Sequence, residues 1–414
     1  MNERTEEIVI VKDKDYEQNA VPMKARKGFL SLFVVMLGFT FFSASMSVGA
    51  KMGNGLSLNE FIAAVAIGGL ILSVYTCSLS YVGSKTGFTI DLLSRRAFGE
   101  KGSYLPSAMI ALTQIGWFGV GVAMFTIPVS ELLGINHLIL TVIAGILMTS
   151  SAWWGYRALA IVSAISVPLI SILGFISIGM ALEGTGGMAS IFSNSGGMSM
   201  TYAIGIVVGS FVSGGTATPN FVRYAKTPMT AVITTAIAFF LGNTLMFLFG
   251  AVGGAVTGAE DIFYVMIAQG LVIPAVLVLG CNIWTTNDNA LYSAGLGLSN
   301  ITGNSKRHMT ALGGVIGTAL SVWLYNNFVG WLSFLNCTLP PVGIIVVLDY
   351  FRHRELYKEG VEVSRTVRIG SVLGVVIGAL VANFLPYGIA SINAMIVATI
   401  CYFVSEVLEK KEAK

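Results

Sequence analysis

Twelve stretches of this chain are apolar for long enough to cross a lipid bilayer, and nothing else in the sequence constrains the fold as strongly. They occupy residues 29–50, 60–83, 104–130, 137–155, 157–182, 201–221, 229–256, 270–298, 309–327, 328–350, 367–386 and 388–408. A helix needs about 20 residues to span the hydrocarbon. In lipid every backbone N–H and C=O must find its partner within the segment, so runs of this kind fold as helices. The composition agrees: 55% hydrophobic and 11% charged residues in 414 leave too few charges to clothe a soluble surface. The expected fold class is an all-α integral membrane protein with twelve transmembrane helices.

The basic residues orient these helices. Of the 24 lysines and arginines, 23 fall in the tails or in alternate loops, and Lys51 alone falls on the other side. Because cytoplasmic loops collect Lys and Arg, both termini are expected in the cytoplasm. One missed helix would scramble that alternation, so the bias also checks the count. The net charge of +3 is then a topology signal, and no basic patch suits nucleic acid. Residues 1–28 are polar and end in KARKG without an apolar core, so no cleavable signal peptide is expected. The four cysteines form no CxxC pair, and the three histidines sit at span edges or in loops. Neither disulfide, nor metal-ligand cluster, nor catalytic constellation is visible, so an enzyme is not expected.

The polar residues inside the spans carry the functional signal. Span eight contains CNIWTTNDNALYS (281–293), with Asp288 in its middle. An ionisable group at that depth is costly, and it serves either transport or helix packing. At 100° per residue Asn282, Thr285, Thr286 and Asn289 form one stripe, flanked by Asn287 and Asp288. Two adjacent hydroxyls and a carbonyl one turn earlier suit a small hard cation. Spans one and six look interrupted: LGFTFFSASMSVG (37–49) holds Gly38 and a small polar run, and VVGSFVSGGTATPN (207–220) holds Gly214-Gly215 and Pro219. Broken helices in corresponding places of two halves mark transporters built from inverted repeats, whereas glycines alone also serve close packing. Trp117 lies mid-span in the third helix, Phe41-Phe42 beside the first break and Phe211 beside the second. Opposed aromatic faces would stack a flat heterocycle, at about 1–3 kcal/mol per base.

The motifs TFFSAS (40–45), KTGFT (85–89), TQIGWFGVGVAMF (113–125), VVGSF (207–211), NIWTTNDNALY (282–292), LYNNFVGWL (324–332) and PPVG (340–343) resemble the bacterial nucleobase–cation symporter family. The likeness runs from about residue 22 into the last span. It implies a leucine-transporter-like fold: a cytoplasmic tail (1–28), a ten-helix core (29–350) of two inverted repeats (29–182 and 201–350), a cytoplasmic loop (351–366), helices eleven and twelve (367–408) and a short cytoplasmic tail (409–414).

It further implies alternating access in the bacterial inner membrane, with cytosine as the solute and sodium as the coupling ion. No other cofactor, nucleic acid or obligatory protein partner is implied. The family's sodium ligands fall on Gly38, Phe41, Asn282, Thr285 and Thr286. Its aromatic sandwich falls on Trp117 and Phe211. Asn287 is the first match for an asparagine that bonds the ring, Asn289 the second. Ser210, Ser213 and Gln114 could reach the ring edge. Hydantoin-transporting members carry glutamine where Phe42 stands and tryptophan where Phe211 stands, which points to a smaller ring here. Asp288 could read an exocyclic amine, or carry proton coupling instead of sodium. A transporter of the same fold for another solute is the nearest alternative. A channel would need a filter motif or charged ring, and none is present.

Overall fold

The computed structural model describes residues 15–183, 185–192, 197–259, 262–327, 334 and 337–412. Residues 1–14, 328–333 and 413–414, which belong to the expected tails and tenth span, lie outside the described residues. Among the described residues the fold is helical, and β pairing is limited to a bridge between Lys27 and Ala225.

Six helices are individually long and apolar enough to cross a membrane: Leu58–Thr86, Tyr104–Leu133, His137–Trp154, Tyr156–Glu183, Pro228–Thr257 and Ala390–Glu409. The pair Phe29–Thr40 and Ser43–Gly55 forms a further span, bent by 55°. Helices Met200–Thr216, Val272–Thr302, Lys306–Asn326, Pro340–Arg352 and Ile369–Phe384 occupy the remaining expected spans. Local signals set several ends. Span two opens with a capping box, Ser57 and Glu60, and closes at Gly87 with φ 77°. Span eight closes at Gly303 with φ 71°.

The bundle presents its apolar side chains outward, Leu70, Ile146, Ile165 and Val315 among them, each more than half exposed. Its interior is rich in serine, threonine and asparagine. Many of those hydroxyls donate back to a carbonyl one turn earlier, as Thr40 to Met36 and Thr216 to Val212, so they sit in the core without an orphaned donor. Glycines let backbones meet. A Cβ on Gly250 of span seven would collide with the Met46 carbonyl of span one.

Both expected interruptions are present, one of them displaced. Span one breaks at Phe41 and Phe42, whose backbones are extended. Span six stays helical through Gly214 and Gly215 and breaks only at Ala217-Thr218, before a short helix from Pro219 to Val222. The glycine pair therefore acts in packing: Gly214 admits the rings of Phe211 and Phe39, and Gly215 admits Thr76 of span two. Proline at the first position of the new helix sets the break. A third irregularity had no signal in the sequence: span seven contains a π-helical turn, Ile237–Gly242, lying against the break of span one.

An amphipathic helix, Ile90–Phe98, links spans two and three. Spans ten to twelve are tied by Arg368, which pairs with Asp349 and Glu406, while Tyr357 and Tyr402 donate to Asp349 at 2.6 and 2.8 Å.

Candidate functional site

The break in span one meets span eight at a cluster of oxygens. Because the first helix ends at Thr40, carbonyls from Gly38 onward lose the N–H four residues on. The Phe41 carbonyl accepts from the Thr286 hydroxyl at 3.1 Å. Thr286 also approaches the Asn282 carbonyl at 3.3 Å, and Thr285 donates to that carbonyl and to Cys281, both at 3.0 Å. Ser43, at the start of the second half of span one, donates to the Asn282 side chain at 2.9 Å. Phe41, Asn282, Thr285 and Thr286 thus converge, with Gly38 one turn back. Gly38 packs against Ser163 of span five, whose buried hydroxyl has no hydrogen-bond partner. Sequence reading missed that residue, for nothing local marks it. Neutral oxygens of this kind fit a small monovalent cation.

Beside this cluster lies a cavity lined by Phe39, Phe42, Gln114, Trp117, Ser210, Phe211, Ser213, Gly214, Thr286 and Ala290. Trp117 meets Phe42 edge to face at 5.4 Å, and Phe211 meets Phe39 at 5.2 Å and Phe239 at 5.5 Å. Two aromatic groups thus face one space, as the spacing suggested. The cavity measures only about 10 Å³, and at its wall the Trp117 indole donates to Ser213 at 3.1 Å, joining spans three and six. Gln114 is buried with neither end of its amide partnered, which leaves both a donor and an acceptor for a guest. Phe39 was not among the expected residues; the break turns it inward.

Asn287, Asp288 and Asn289 do not line this cavity. Asn287 donates to the Phe118 carbonyl at 3.1 Å and approaches the Met148 sulfur at 3.3 Å, joining spans three, four and eight. A Cβ on Gly121 would strike its side-chain oxygen, so the glycines of the third span serve close packing. Asn289 donates to the Thr285 carbonyl at 2.6 Å. Asp288 is fully buried near Ser151 of span four, whose hydroxyl donates to Met148 instead, and neither carboxylate oxygen has a well-formed hydrogen bond.

A strap of residues 15–27 closes one end of the bundle. Asp15 pairs with the buried Lys306 at the start of span nine at 2.7 Å. Arg223, beyond the break of span six, donates to the carbonyls of Asp15 and Tyr16 and to the Tyr292 hydroxyl of span eight. Burial disfavours the Arg223 charge, but Tyr224, Tyr292 and Asp15 around it raise its pKa. Val21 and Arg26 complete the strap through Gly87, Ser84 and Ala225. The strap thereby ties the ends of spans six, eight and nine together.

Comparisons with known proteins agree with this arrangement. A family described as permeases for cytosine/purines, uracil, thiamine and allantoin matches residues 20–405. The cytosine permease of Escherichia coli (strain K12) is 47% identical over 404 residues, covering 96% of each chain. Among solved structures, Mhp1, a nucleobase-cation-symport-1 family transporter in a closed conformation with bromovinylhydantoin bound, superposes with a TM-score of 0.81 at 20% identity, covering 96% of each chain. A Na+-coupled sialic acid symporter gives 0.70 at 15% identity, covering 95% of this chain and 92% of its own. At those identities the two structures establish the fold.

Proposed function

The chain belongs to the family of permeases for cytosine/purines, uracil, thiamine and allantoin, and from that premise we propose that it is a secondary active symporter importing cytosine with sodium across the bacterial inner membrane. The observation that carries this reading is the juxtaposition of the aromatic cavity, with its unpartnered Gln114, and the oxygen cluster, both contributed to by Thr286. Phe42, Trp117 and Phe211 stack the ring; Gln114, Ser210 and Ser213 read its edge. Sodium at Phe41, Asn282, Thr285 and Thr286, with Gly38 behind them, ties the break of span one to span eight. It thereby fixes the side chains that face the ring, so each ligand raises the affinity of the other by the same factor.

Proteoliposomes loaded with an imposed sodium or proton gradient test the assignment. Labelled cytosine uptake driven by sodium alone, and competed poorly by hydantoins and purines, is the expected result. Uptake driven only by protons would transfer the coupling to Asp288, the one acid buried in the middle of a span among the described residues. No uptake under either gradient would refute cytosine as the solute.

A further inference from the structure

Spans four and nine leave a long apolar furrow on the lipid-facing surface, away from the transport site. Its volume is about 800 Å³. Gly145 and Gly314 form its floor, each so close to a threonine of the opposite helix, Thr318 and Thr149, that no side chain would fit between them. Leu138, Val142, Ile146 and Val315 rise along its walls and stand at least half exposed. The stretch from Leu138 to Trp153 is about 22 Å of helix, more than the ~15 Å of hydrocarbon in one leaflet. Its cytoplasmic mouth is built differently. Trp153 lines it, and the Arg307 guanidinium lies 5.4 Å from the centre of that ring. Arg307 is exposed and makes no ion pair among the described residues; on the nearby strap Asp15 pairs with the Lys306 ammonium and Glu17 accepts from the Lys306 backbone N–H. An apolar furrow capped by an interfacial tryptophan and an uncompensated arginine matches a lipid that is apolar along its length and anionic at its head.

We propose that this furrow binds one anionic phospholipid of the cytoplasmic leaflet, with an acyl chain between spans four and nine and its phosphate against Arg307. Native mass spectrometry of the full chain in detergent, titrated with phosphatidylglycerol or with phosphatidylcholine of the same acyl chains, tests it. A single saturable phosphatidylglycerol adduct is expected, with phosphatidylcholine binding more weakly. Arg307→Gln should weaken phosphatidylglycerol about five-fold and remove the headgroup preference, because one basic residue at the surface contributes about that factor. Ala319→Trp, at an exposed position on the furrow wall, should weaken both lipids while leaving Arg307 in place. Undiminished phosphatidylglycerol binding in either variant would overturn the proposal. So would conversion of a dimer to a monomer by Ala319→Trp, which would make a second copy of the chain the occupant.

Discussion

Thr286 is the side chain through which the two halves of the proposed site communicate. It touches the carbonyl at the break of span one and also lines the aromatic cavity. Replacing it with alanine removes the hydroxyl but keeps the helix, whereas serine keeps both. Thr286→Ala is expected to raise the sodium concentration for half-maximal uptake at least ten-fold and, by reciprocity, to weaken cytosine at fixed sodium; Thr286→Ser should stay near the parent. Equal sodium dependence in all three proteins would dismiss the ion assignment. A second residue, Asp91, makes a prediction about pH. Burial pushes its carboxyl up to about 6, against the pull of the Ser107 hydroxyl donated at 2.6 Å. Since the folded value exceeds the unfolded one, the stabilising form is the protonated one. Its contribution is complete below about pH 4 and is lost as pH rises through 6, a change of about 3 kcal/mol at most. Asp91→Asn should therefore raise the thermal midpoint at pH 7.5 and leave it nearly unchanged at pH 4.

At the scale of elements, three helices around the candidate site depart from regular geometry. Span one opens at Phe41-Phe42, span six at Ala217-Thr218, and span seven loosens into a π turn whose Gly242 abuts Thr40. These irregularities are held by close backbone contacts. Gly250→Ala should cost about 1–3 kcal/mol, because the added methyl meets the Met46 carbonyl, a backbone atom that cannot swing aside. Gly179→Ala provides the control: no atom lies within 4 Å of its added methyl, so a neutral or slightly raised midpoint is expected. Equal losses in detergent melts of the two would remove the special role of the contact between spans one and seven. The glycines themselves were conspicuous in the sequence. Which of them break helices and which pack them was not, because both uses demand the same missing Cβ.

For the molecule as a whole, the strap ties together the ends of spans six, eight and nine. Breaking a buried ion pair by removing one partner commonly costs 3–5 kcal/mol. Asp15→Ala or Lys306→Ala should accordingly speed hydrogen exchange across residues 16–27. The double exchange Asp15→Lys with Lys306→Asp should restore protection. Exchange that is unchanged in the single variants would mean that the Arg223 contacts alone close the strap.

Span number, the polar stripe on span eight and the aromatic positions were legible because each follows from a local rule: hydrocarbon thickness, helical periodicity and the cost of burying polar groups. Phe42, Gln114, Trp117, Ser210, Phe211 and Ser213 meet in one cavity as their motifs implied. The rest depended on facing partners. Asn287, Asp288 and Asn289 belong to the same polar run, yet helix rotation carries their side chains to spans three and four or back onto their own helix. Ser163 reaches Gly38, and Asp15 reaches Lys306, only through packing between segments far apart in the chain. A helix's own sequence specifies that it will cross the membrane and which face is polar; what that face meets is decided by the neighbours that close around it.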